Sequence, residues 1–172
     1  TSNVILGLEE VLIKEKPDIV LVHGHTTTTF ATALSCFYQQ VKVGHVEAGL
    51  RTYDQYSPFP EEINRVLTGH IADLHFAPTE TNRQNLLKEG IKDENIFVTG
   101  NTVIDALLQV SLKPYDFQDE ILKKIDFENK RIITVTCHRR ENLGENMNHI
   151  FGAIRSLALE FEDVEIIYPM HM

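Results

Sequence analysis

Two cysteines, Cys36 and Cys137, are all that the 172 residues contain, and neither belongs to a CxxC pair. That scarcity leaves no disulfide framework and no thiolate zinc site to expect, and it fits a reducing, cytoplasmic setting. Missing too is any apolar run near the ~20 residues that span a bilayer. The amino-terminal stretch lacks the charged-then-apolar order of a signal peptide. Positive charge is in deficit, since 16 Lys and Arg stand against 25 Asp and Glu for a formal charge of -9. Sequence-independent nucleic-acid binding depends on clustered cations that release counterions, so no nucleic-acid partner and no membrane is expected. HExxH and other metal-ligand spacings are absent, which predicts no metal. No internal repeat or low-complexity tract occurs.

What is present is a chain that is 42% hydrophobic, enough for a sizeable core. Periodicity predicts a helix ending near Lys16, a strand over 18–24, a helix over 27–40 and a strand over 42–48. The pattern then predicts a helix over 61–71, a strand at LHFAP, a helix over 79–89, a strand at IFVTG and a helix from Thr102. Alternation of this kind is α/β with parallel sheets. Strands such as IVLV and IFV lack polar alternation, so helices are expected on both sheet faces. A charged, turn-rich stretch from Leu112 to Glu128 puts a boundary near Pro114, giving units 1–113 and 114–172. RIITVT, a helix through NMNHIFGAIRSLALEF and VEIIYP follow it. The first unit would hold four strands and the second two, and both chain ends read as cuts within a domain.

Ligands of open parallel sheets bind outside the carboxyl ends of the strands. Three of those ends carry polar clusters: His23-Gly24-His25-Thr26-Thr27-Thr28-Thr29, Glu47-Ala48-Gly49-Leu50-Arg51-Thr52, and Cys137-His138-Arg139-Arg140-Glu141-Asn142. At least one threonine should cap the following helix, while the run as a whole, Thr26 included, makes a hydroxyl-rich mouth suited to phosphate or sugar. Glu47 alone could cap a turn; beside Gly49 and the planar donor fork of Arg51 it reads as part of a substrate site. In Pro58-Phe59-Pro60-Glu61-Glu62, Glu62 complements a helix dipole, and Glu61 is either a second such charge or a carboxylate aimed by the loop. His138 can titrate near neutrality, and the arginines after it suit a diphosphate. His23, His45, His70 and His75 read as packing or surface residues.

Taken together, HG-x-TTTT, GHVEAGLRT, YSPFPEEINR, ADLHFAPTETNRQNLL, FVTGNTVIDALL, T-x-HRREN-x-G and YP-x-H resemble the non-hydrolysing UDP-N-acetylglucosamine 2-epimerases. The resemblance runs through nearly the whole chain, apart from the boundary region. It implies a GT-B-like enzyme of two Rossmann-like domains closing over a cleft, with 1–113 the latter part of the first and 114–172 the early part of the second. The implied reaction interconverts UDP-GlcNAc and UDP-ManNAc, through UDP and 2-acetamidoglucal, for bacterial surface polysaccharides. No cofactor is implied, and a homodimer is. Glu47, Glu61 and His138 take the family's catalytic positions, and Arg139 and His171 face the nucleotide or a neighbouring regulatory sugar-nucleotide site. Family members also carry an earlier GTRPE-type motif and a longer carboxyl half, so this stretch by itself is not expected to form a complete site. One departure stands out: the family reads HGDTTTT, whereas His25 occupies the aspartate position, changing charge, shape and reach. The alternatives are a hydrolysing epimerase, a GT-B glycosyltransferase, and a sugar-nucleotide-binding homologue impaired in catalysis.

Overall fold

The computed structural model describes residues 1–137 and 144–170. The chain divides into two compact units, Thr1–Lys113 and Pro114–Met172. The first unit opens with helix α1 (Ser2–Glu15), which ends where Lys16 adopts a left-handed φ of 46°. Strand β1 (Ile19–His23), helix α2 (Thr27–Tyr38) and strand β2 (Lys42–Val46) make the first crossover unit. Helix α3 (Glu61–Ile71), strand β3 (Leu74–Ala77), helix α4 (Glu80–Lys88), strand β4 (Ile96–Val98) and helix α5 (Thr102–Ser111) continue the alternation. All four strands are parallel and lie in chain order, β1-β2-β3-β4.

That strand order decides where the core lies. Right-handed crossovers that always step in the same direction lay their helices on the same sheet face. Val20, Val22 and Val43 point to that face and pack with Leu12, Ala33 and Cys36 from α1 and α2. A second cluster joins Ala48, Ala77, Leu86 and Ile96. The opposite face carries Ile19 and Leu21 on β1 and Phe97 on β4, with Leu21 62% exposed. Of the helices expected on both faces, the described residues supply those of one, as a one-way strand order requires. On the open side, Leu21 and Phe76 close over Gly44, where an added Cβ would lie 2.6 Å from Leu21 Cδ2.

The second unit contains strand β5 (Arg131–Thr134), helix α6 (Glu145–Glu160) and strand β6 (Val164–Ile167). The two strands pair in parallel, from Arg131 opposite Val164 to Thr134 opposite Ile167. Tyr168 caps the open end by donating its hydroxyl to Cys137 O at 2.7 Å, and its ring meets Phe151 edge-on at 5.3 Å. Among the described residues no helix is long and apolar enough to cross a membrane.

Candidate active site

In the first unit the carboxyl ends of all four strands share one sheet edge, because all are parallel. After β1 the chain turns through Gly24 at φ 74°. Thr26 caps α2 by accepting the Thr29 N–H at 3.2 Å, and its hydroxyl also lies 3.0 Å from Thr29 Oγ1. Thr29 in turn donates to His23 O at 2.6 Å. The hydroxyl expected to bind substrate at Thr26 is thus engaged as a helix cap. From α3, Asn64 donates to His25 O at 3.2 Å and to Thr27 Oγ1 at 3.4 Å, so the first turns of α3 meet the 23–29 turn.

Glu47, just past β2, has a left-handed φ of 65°. A non-glycine residue held there costs roughly 1–3 kcal/mol, and such strain concentrates at functional sites. Its Oε2 lies 3.9 Å from His23 Nε2 and 4.0 Å from His25 Nδ1, beyond hydrogen-bond reach but within strong electrostatic range. Its Oε1 accepts a hydrogen bond from Asn101 Nδ2 at 3.3 Å. Residues 25 and 47 therefore come together. Glu61 opens α3, the helix that Asn64 ties to the same turn, and its half-buried carboxylate makes no hydrogen bond or ion pair among the described residues.

The loop beneath this cluster is held rigidly, and two expectations change there. Arg51, expected to grip substrate, has a side chain only 1% exposed. Its Nε and Nη2 donate to the two oxygens of Glu89 at 2.6 and 2.7 Å, and Nη1 donates to Leu50 O at 2.7 Å. A guanidinium so engaged anchors the loop to α4 and presents no free donor pair to a ligand. Glu62, expected only to complement the helix dipole, is buried. Its Oε1 accepts both the Thr52 and Tyr53 N–H groups at 3.0 Å. Its Oε2 lies 2.7 Å from Arg65 Nε, close enough for an ion pair but too poorly aligned for a hydrogen bond. Gly49 is required outright: at φ 84°, a Cβ would sit 2.3 Å from Asn82 O.

Behind the site, His45 and His75 face each other in register on β2 and β3 and are fully buried. Burial pushes both imidazoles down to about 4, helped for each by the nearby Arg51 cation. His45 Nε2 lies 2.8 Å from Gly24 O, so this ring braces the turn that carries His25. Packing, as read from the sequence, is its role, but packing directly against the site. Sequence reasoning passed over His23 and Asn101, which both meet Glu47. The signal available for Asn101 was its place after a strand and before a helix, which marks a cap and says nothing of the residue 54 positions earlier. His138, Arg139 and His171 lie outside the described residues. Among the described residues no group of three or more His, Cys, Asp or Glu is placed to hold a metal.

Comparison with known proteins agrees along the full length. The profile of the UDP-N-acetylglucosamine 2-epimerase family matches residues 1–172. The chain is 57% identical to a UDP-N-acetylglucosamine 2-epimerase of Bacillus subtilis strain 168 over 172 residues, all of this chain and 44% of that protein. It is similar in structure to Staphylococcus aureus MnaA, solved with UDP, at 52% identity and a TM-score of 0.90 over 99% of this chain and 46% of that one. A UDP-GlcNAc 2-epimerase of Neisseria meningitidis bound to UDP-GlcNAc is 45% identical, with a TM-score of 0.87 over 99% of this chain and 47% of that one. The chain thus spans less than half the length of the relatives it matches.

Proposed function

We propose, since this chain belongs to the UDP-N-acetylglucosamine 2-epimerase family, that its strand-end cluster is the acid/base part of a site interconverting UDP-GlcNAc and UDP-ManNAc. The observation that carries this reading is Glu47, held at φ 65° with its carboxylate beside His25 and His23. The C2 hydrogen of the sugar is not next to a carbonyl, so direct deprotonation would leave a poorly stabilised carbanion. Early loss of UDP from C1 makes that hydrogen acidic. The C1–O bond breaks with its electron pair going to the diphosphate, a carboxylate takes the C2 proton, and a C1=C2 double bond forms 2-acetamidoglucal. A second group then returns a proton to the opposite face of C2, and the diphosphate oxygen rejoins C1.

Two protonating groups on opposite ring faces are needed, and Glu47 and Glu61 supply carboxylates for them. Glu61 is suited because nothing among the described residues occupies it. His138 is a third group at the family position, and Arg139 and His171 are proposed to face nucleotide. The overall change is redox-neutral, so no redox cofactor is called for. In this reading 1–113 is the latter part of the first Rossmann-like domain and 114–172 the early part of the second. The complete protein would be a cytoplasmic homodimer serving polysaccharide synthesis.

His25 favours a second reading. An imidazole at the family's aspartate position brings a ring where a carboxylate is expected, with its Nδ1 buried and unpartnered. The complete protein would then bind UDP-GlcNAc but turn it over slowly. The two readings separate when the full-length protein and its His25→Asp variant are given UDP-GlcNAc in deuterated water and followed by proton NMR. UDP-ManNAc carrying deuterium at C2 from the His25 form supports the active epimerase. Activity confined to the Asp variant supports the impaired form, free ManNAc marks a hydrolysing enzyme, and silence in both sinks the epimerase reading.

A further inference from the structure

We propose that Asn101 is a positioning residue for Glu47, fixing one carboxylate oxygen so that the other, Oε2, is the atom that exchanges the proton. This rests on Glu47 being an acid/base group. Asn101 is the N-cap of α5, and its Oδ1 accepts the Val103 N–H at 3.0 Å. That bond settles which way the amide points. An N–H donor at Val103 demands the oxygen, so the NH2 must face the other way, toward Glu47 Oε1 at 3.3 Å. Flipping the amide would set NH2 against N–H and oxygen against carboxylate, losing both contacts. The cap thus holds a donor aimed at a residue 54 positions away, joining the ends of β2 and β4.

The remaining surroundings of Glu47 assign the second oxygen. Oε2 faces His23 and His25, the titratable groups at the end of β1, at distances too long for a hydrogen bond. Gly24 lies beneath it, where a Cβ would come within 3.3 Å of Oε2. Among the described residues the Asn101 bond is the one hydrogen bond that Glu47's carboxylate accepts. One oxygen is therefore held and the other is available, and a carboxylate aligned in this way loses little orientational freedom when it meets the sugar C2 hydrogen.

Two substitutions separate positioning from capping, because Asp and Ser cap helices about as well as Asn. In the full-length protein, with either His or Asp at 25, Asn101→Asp keeps the Val103 bond but sets a negative charge against Glu47. Asn101→Ser keeps the cap but shortens the side chain and removes the amide N–H that reaches Glu47. The expected result is an unchanged melting temperature and a KM within about twofold. With those unchanged, kcat falls by roughly tenfold or more for Asn101→Asp and by less for Asn101→Ser. For Asn101→Asp the acid limb of kcat also moves to higher pH, since a like charge disfavours the ionised carboxylate. Rates within about twofold of the parent for both variants, or losses of rate that track lost melting temperature, would overturn the proposal. Glu47→Gln is measured beside them. If that variant keeps its rate of C2 exchange, the acid/base reading of Glu47 is what fails, and the positioning role goes with it.

Discussion

The two units are written in the same alternation of strand and helix, yet they bury very different amounts of it. Thr1–Lys113 contains every fully buried residue of the described chain, from Leu12 to Ile96, including buried histidines and the Glu62–Arg65 pair. In Pro114–Met172 no described residue falls below the intermediate class, and β6 is half-buried along its whole length. Periodicity reports which way a side chain points, whereas burial needs a second layer to receive it. Four strands with α1 to α4 on one face provide that layer; two strands and one helix do not. Among the described residues, buried polar and charged side chains accordingly collect in the first unit.

Glycine-to-alanine changes break the comparison most sharply, because the sign should reverse between the units. Gly49→Ala drives a Cβ into Asn82 O at a left-handed φ, and no flexible side chain is there to yield. A loss on the order of 4 kcal/mol or more is expected, as for other severe core clashes with backbone strain. Gly152 lies exposed within α6 with nothing within 4 Å of its would-be Cβ. There alanine should stabilise the helix by roughly 0.5–1 kcal/mol. Hydrogen exchange resolved by peptide would localise each change. A Gly49→Ala protein with undiminished protection over β2 and α4 would show that the loop can shift to make room.

Acid tests the contrast next. His45 and His75 stay neutral in the fold down to about 4, whereas an unfolded imidazole takes its proton near 6.5. Between those values the unfolded state binds more protons, so stability is full above pH ~6.5 and falls as the pH drops toward 4. Each ring can account for about 3 kcal/mol over that window. The second unit has no buried histidine among its described residues. Denaturant midpoints read by exchange in each unit should fall with pH in β2 and β3 first. A slope that persists unchanged in a His75→Gln variant would remove His75 from the account.

Legibility from sequence follows the same physical division. The strands and helices could be read because apolar runs and caps are local, and so could the strand-end placement of Glu47 and His25. The fate of Arg51 could not, since its partner Glu89 is 38 residues away and a free guanidinium and a buried one look alike in a motif. Glu61 and Glu62 sit side by side with identical local chemistry. Their roles diverge only because one helix turn aims Glu62 under the backbone of Thr52 and Tyr53. Which sheet face the helices cover was not legible for a related reason: an apolar strand shows that both of its faces want cover, while strand order decides which face the helices between neighbouring strands occupy.

The smallest effect belongs to a pair that resembles the Arg51–Glu89 fork in everything but surroundings. Arg131 donates through Nε and Nη2 to the two oxygens of Asp163 at 2.6 and 2.7 Å, and its guanidinium lies 5.2 Å from the Phe161 ring centre. Each partner raises the other's preference for the charged form, Arg131 upward and Asp163 downward from their usual values. Water screens this exposed pair, and holding two long side chains in register offsets much of the attraction. Arg51, by contrast, is sealed from water, so removing one partner there would strand a buried charge. Arg131→Gln should therefore leave the denaturant midpoint of the second unit essentially unmoved at physiological salt. A clear loss that persists at 1 M salt would mean that stacking on Phe161, which salt does not screen, holds this end of the β5–β6 pair.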